Sequence, residues 1–66
     1  MNIMINGKAQ QLSAAQNISE IVSSFCKNPK HVITELNGTI IPAQAWADTK
    51  VNDGDALELV SFVGGG

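Results

Sequence analysis

Apolar residues recur at every second position near both ends of this chain and at a helical period between them. Ile3 and Ile5 share one parity and Met4 takes the other, so residues 2–5 are expected to form a short strand. Asn6-Gly7 follows at once. That pair is the strongest short hairpin signal, because a type I′ turn needs positive φ at both of its central positions. Lys8 to Leu12 is expected to return as a second strand with Ala9 as its weak centre. Farther on, Ile18, Ile21, Val22 and Phe25 stand three, four and seven residues from the first, which is one face of a helix with Cys26 beside it. Asn17 and Glu20 fit a capping box at its start, and Asn28-Pro29 is expected to end it.

Val32 to Leu36 is rich in β-branched residues and predicts a third strand. Asn37-Gly38 is a second hairpin signal, and Thr39-Ile40-Ile41 the returning fourth strand. Pro42 opens a short helical segment, Ala43 to Ala47, in which Trp46 is expected to plug the edge of the core. Val51 to Asp55 reads as a turn, and Ala56 to Phe62 as a last strand. In that strand Leu57 and Leu59 share one parity, then Val60 and Phe62 take over the other. Either it carries a bulge or it is central and apolar on both faces.

The order strand, strand, helix, strand, strand, short helix, strand has a simple solution. Two hairpins embrace one helix, and the last strand enters the middle of the sheet parallel to the first. The expected fold class is α+β: a β-grasp with a mixed sheet of about five strands, one main helix packed on one face and a short second helical segment. The opposite face would carry Met4 with Val60 or Phe62, and exposed apolar residues on a sheet face mark a docking surface.

Composition narrows the functions open to such a fold. With 66 residues, 44 % hydrophobic and 15 % charged, the chain suits one small globular domain. There is no room for both a core and a deep catalytic cleft, so the expectation is a protein that is not itself an enzyme. A net charge of −2, with four lysines and no arginine, argues against nucleic acid as a partner. Cys26 is the single cysteine, so neither an internal disulfide nor a cysteine-rich metal site is expected. No signal peptide or membrane-length apolar run is visible, and a reducing cytoplasm is the expected location, with no membrane contact.

The chain ends Phe62-Val63-Gly64-Gly65-Gly66. Residues 1–61 are expected to form the domain and residues 62–66 a flexible tail. Chain ends commonly fray, so these glycines also fit a tail without a role. Glycine lacks Cβ, however, and can pass where channel walls lie close to the backbone. The only reactive group at such an end is the α-carboxylate, which a partner enzyme could activate and load.

The Asn-Gly hairpin at residue 6, the Asn17-x-x-Glu20 helix start, Asn37-Gly38-x-Ile40-Ile41-Pro42 followed by Trp46, the Asp53-Gly54-Asp55 turn and the terminal glycines together resemble the ThiS family. These are the sulfur carriers of thiamine biosynthesis, and the resemblance covers the whole chain. Its most specific part is Gly65-Gly66 at the end of so small a domain. The resemblance implies that a ThiF-like adenylyltransferase, using ATP and magnesium, joins the Gly66 carboxylate to AMP. A sulfur donor such as a cysteine desulfurase then leaves a thiocarboxylate, and thiazole synthase consumes that sulfur. Gly64 and Gly65 would thread the end into these partners, while Phe62, Val60 and Met4 would dock. No cofactor is expected on the chain itself, and the free protein is expected to be monomeric.

Other reactive residues have plainer readings. Cys26 fits core filler better than a sulfur-handling thiol, since nothing near it in sequence would lower its pKa. His31 has no partner at metal or triad spacing. Asp53 and Asp55 flank Gly54 and suit a turn better than an acid–base or metal pair. Glu35, Asp48 and Glu58 are expected to be solvated and open to basic residues of an activating enzyme. The alternatives of the same general form are the small subunit of molybdopterin synthase and a ubiquitin-like protein modifier. A non-covalent β-grasp binding module is the alternative in which the glycines do nothing.

Overall fold

Both Asn-Gly pairs form the turns that their chemistry favours. In the computed structural model, which describes residues 1–62, Asn6 and Gly7 have φ of 52° and 79°, and Asn37 and Gly38 have 51° and 87°. The first turn joins β1 (Asn2–Ile5) to β2 (Lys8–Gln11), and the second joins β3 (Val32–Leu36) to β4 (Thr39–Ile41). Leu12 lies one residue beyond β2 but is buried in the core.

The last strand, β5 (Ala56–Ser61), enters between the two hairpins to give the order β2-β1-β5-β3-β4. It runs parallel to β1, with Met4 opposite Ala56 and Ile5 opposite Leu57. Against β3 it is antiparallel, in one unbroken register from Val32↔Ser61 to Leu36↔Leu57. That continuity rules out a bulge within these pairs. The parity switch arises because β5 is central, with Leu57 and Leu59 turned toward the helix and Val60 turned away.

Helix α1 (Ile18–Phe25) covers one face of the sheet. Asn17 Oδ1 accepts from the Glu20 N–H at 2.8 Å, and Glu20 Oε1 accepts from the Asn17 N–H at 2.9 Å, which completes the capping box. Ile18, Ile21 and Val22 are wholly buried. They meet Ile3 and Ile5 of β1 and Leu57 and Leu59 of β5 in one cluster, with Trp46 at its side. The Trp46 Nε1–H donates to the Ile41 carbonyl at 3.0 Å, so the indole closes the core edge without an orphaned donor.

Several expectations are corrected. The helix stops at Phe25, before Asn28-Pro29, because Cys26 is already extended while its N–H still bonds the Val22 carbonyl. Pro29 instead begins a 3₁₀ turn, Pro29–His31. Phe25, placed by spacing on the buried face, is 46 % exposed, because as the last helical residue it has no following turn to cover it. The segment after Pro42 is also 3₁₀ and extends through Asp48. Val51 is not part of a surface turn. Its N–H bonds the Gln16 carbonyl and its side chain is buried in the core.

Candidate functional site: the terminal strand and the open sheet face

Strand β5 carries the chain toward the terminal glycines, and its outward residues define the uncovered face of the sheet. Leu57 and Leu59 point to the helix, so Glu58 and Val60 point away. Directly opposite residues share a face, and Val60 faces Ile33 of β3 in the register. The next row holds Glu58 opposite Glu35, with Ile40 of β4 opposite Glu35 on its other side. Beyond it, Ala56 stands opposite Met4 of β1, and Met4 opposite Ala9 of β2.

Exposure agrees with this arrangement. Ile40 is 63 % exposed, Val60 51 %, Ile33 45 %, Phe62 44 % and Met4 40 %. Scattered apolar residues on a surface are ordinary, but several on one uncovered sheet face are a docking signal. Phe62 lies one residue past β5, yet its N–H still donates to the His31 carbonyl at 2.9 Å. Its ring lies 5.6 Å from the His31 ring, centre to centre, and tilted. Asn28 Nδ2 and His31 Nδ1 lie 3.2 Å apart. The strand ladder therefore keeps its pairing as far as Phe62, with an aromatic contact beside the exit of the chain.

Of the residues read as docking groups, Val60 and Phe62 lie together at one end of the face. Met4 lies apart from them, one strand over and on the far side of the Glu58 row. Gly64, Gly65 and Gly66 lie outside the described residues. Ile33 and Ile40 were not anticipated as surface groups. The sequence signal for them was available in Val32-Ile33 and Ile40-Ile41, adjacent apolar pairs in strands that can each turn only one member inward.

Two asparagine side chains fasten β5 from its flanks. Asn6 Oδ1 accepts from the Leu59 N–H at 2.8 Å, and Asn6 Nδ2 donates to the Leu59 carbonyl at 3.2 Å. The carboxamide thus occupies the place of one more peptide unit of β1. On the other side, Asn37 Oδ1 accepts from the Ala56 N–H at 2.9 Å, and Asn37 Nδ2 donates to Asp55 Oδ1 at 3.1 Å.

Asp55 has the turn role expected of it, whereas the Asp53 carboxylate ties the turn to the start of β1. Asp53 Oδ1 accepts from the Asn2 N–H at 2.6 Å, and Asp55 Oδ2 accepts from the Asn52 N–H at 2.7 Å. Among the described residues, no group of three or more His, Cys, Asp or Glu side chains is placed to hold a metal ion. Burial pushes the Cys26 thiol pKa up, which disfavours the thiolate that sulfur chemistry would require. No helix among the described residues is long and apolar enough to cross a membrane.

The sheet order, the single capped helix and the central terminal strand define a β-grasp domain of the ubiquitin-like class. Comparison with known proteins narrows that class. The ThiS family model matches residues 3–66. The chain is 30 % identical over 66 residues to the sulfur carrier protein ThiS of Escherichia coli K12, covering the whole of both proteins. It is 36 % identical over 66 residues to a thiazole synthase of Paramagnetospirillum magneticum, of which it spans 20 % of the length. Its fold matches the crystal structure of a thiamine biosynthesis protein, ThiS, from Geobacter metallireducens at a TM-score of 0.87 and 36 % identity, with both chains fully covered. This chain belongs to the ThiS family of sulfur carriers in thiamine biosynthesis.

Proposed function

We propose that the protein carries sulfur as a thiocarboxylate on Gly66 and acts as a co-substrate of partner enzymes, not as an enzyme itself. A carboxylate is a poor electrophile until it holds a good leaving group. A ThiF-like adenylyltransferase supplies one by joining the Gly66 carboxylate to AMP from ATP, with magnesium, and releasing pyrophosphate. A sulfur donor, such as a cysteine desulfurase persulfide, displaces AMP to give an acyl disulfide, and a second thiol then reduces that S–S bond, releasing the thiocarboxylate while a disulfide forms between the thiol and the donor cysteine. Thiazole synthase takes the sulfur, and the carboxylate returns. The cycle is assigned to the cytoplasm, with a monomeric free carrier.

The observation that carries this reading is the match of the family model over residues 3–66, which takes in Gly64, Gly65 and Gly66. The relative named thiazole synthase adds support, because it joins a segment like this chain to a longer protein of that name. Gly64 and Gly65 admit the end to narrow sites, and Phe62, Val60 and Met4 supply apolar contact on the open face.

Intact mass after incubation with ATP, magnesium, a ThiF-like adenylyltransferase and a sulfur source tests the reading. Replacement of one oxygen by one sulfur is the expected result. A covalent adduct with another protein would indicate a modifier, and no change of mass would indicate a binding module.

A further inference from the structure

We propose that His31 is a positioning residue for the reactive end of the chain: its ring holds Phe62 in place on the open sheet face, so that the carrier meets its activating adenylyltransferase with Phe62 already ordered. This rests on the carrier reading and adds to it a residue that the cycle does not otherwise use.

The strand register carries one step past β3 and β5. Val32 stands opposite Ser61, so the next pair is His31 with Phe62, and the Phe62 N–H donates to the His31 carbonyl at 2.9 Å. Directly opposite residues share a face. His31 and Phe62 therefore follow Ile33 and Val60 on the side of the sheet away from the helix. Their rings lie 5.6 Å apart, centre to centre, with an interplanar angle of 41°, a separation at which aromatic pairs attract.

The imidazole is itself held. His31 closes the 3₁₀ turn Pro29–His31, its N–H bonds the Asn28 carbonyl at 3.0 Å, and Asn28 Nδ2 lies 3.2 Å from its Nδ1. His31 is half-buried, whereas Phe62 stays exposed. The contact thus orders the phenyl ring without covering it.

Association costs rotamer freedom for every side chain it immobilises, equivalent to about two- to tenfold in affinity for each. A Phe62 fixed by His31 has lost that freedom before the partner arrives. The ring lies four residues from the reacting carboxylate and is held alike before and during the chemistry, so the benefit falls on KM and not on kcat.

The test is the initial rate of pyrophosphate release by the purified ThiF-like adenylyltransferase, with ATP, magnesium and the sulfur source saturating and the carrier varied, for the unaltered chain, H31A and H31F. H31A is expected to raise the KM for the carrier about fivefold with kcat unchanged. H31F keeps a ring against Phe62 and is expected to restore most of that loss. An unchanged KM overturns the proposal, whether or not the melting temperature of H31A falls, because the contact then serves packing alone. A lowered KM overturns it as well, by showing that His31 holds Phe62 away from its bound position. So does a lowered kcat at unchanged KM, or a raised KM that H31F leaves unrestored. Failure of the carrier reading is separate: the unaltered chain would then release no pyrophosphate at any concentration.

Discussion

The two faces of this sheet are built from the same strands and have opposite fates. On β5, Leu57 and Leu59 are buried under the helix while Glu58 and Val60, one residue away in each case, face out. On β3, Val32 and Thr34 are buried while Ile33 is exposed and Glu35 half-buried. Among the described residues, the buried positions of the inner face are apolar except for Thr34, whose hydroxyl has no hydrogen-bond partner there. The outer face mixes Val60, Ile33, Ile40 and Met4 with a facing pair of carboxylates. A domain of this size can hide only one side of its sheet, so apolar residues on the other side serve association, and carboxylates among them restrict what may associate.

The contrast between a folding face and a working end is sharpest at the terminus. Deleting Gly66, or adding one residue after it, is expected to abolish sulfur loading and leave the circular dichroism spectrum unchanged. Displacing a reacting atom by about 1 Å can cost roughly a hundredfold, and one residue shifts the carboxylate by about 3.5 Å. Normal loading of either variant, by intact mass, would remove Gly66 as the sulfur site.

Neighbours on β5 provide the next test. Leu59→Ala is expected to lower unfolding free energy by about 2–5 kcal/mol, and Val60→Ala by less than about 1 kcal/mol. Urea denaturation of the two variants separates the faces. Equal losses would mean that the outward parity also serves the core.

Phe62→Ala should cost about 2 kcal/mol in affinity for the adenylyltransferase, roughly thirtyfold, with a smaller loss of stability. A large drop in melting temperature with unchanged affinity would make the ring a structural group whose main contact is His31. The smallest effect concerns the single flaw of the inner face. Thr34→Val keeps the shape and removes an unpartnered hydroxyl, so a gain of about 1 kcal/mol is expected in chemical denaturation. A loss would show that the hydroxyl has a role the static structure does not reveal.

Local chemistry was readable from sequence where one side chain decides a conformation. Asn-Gly fixed both hairpins, and Asn17 with Glu20 fixed the helix start. Readings failed where tertiary placement decides. Phe25 has the spacing of a core residue, but the helix ends beneath it. Val51 adjoins a turn sequence, yet it anchors the crossing from the 3₁₀ segment into the core through Gln16. The open face was half legible. Met4, Val60 and Phe62 follow from strand parity, whereas the meeting of Glu35 and Glu58 depends on a register between segments more than twenty residues apart. No local pattern encodes that register.

The clasp of Asn6 and Asn37 on β5 also bears on when the protein can fold. The strand that completes the core is synthesised after the other four, and its parallel partner β1 lies about fifty positions earlier in the chain. Pairing so distant in sequence is slow to form and cannot begin on a nascent chain until β5 has emerged from the ribosome. Leu57 and Leu59 then fill the core, and both asparagine side chains find the backbone groups they bind. A prematurely terminated chain lacking β5 would have neither a complete core nor the glycine end. Quality control that removes unfolded chains would therefore also spare the adenylyltransferase encounters with carriers that cannot be loaded.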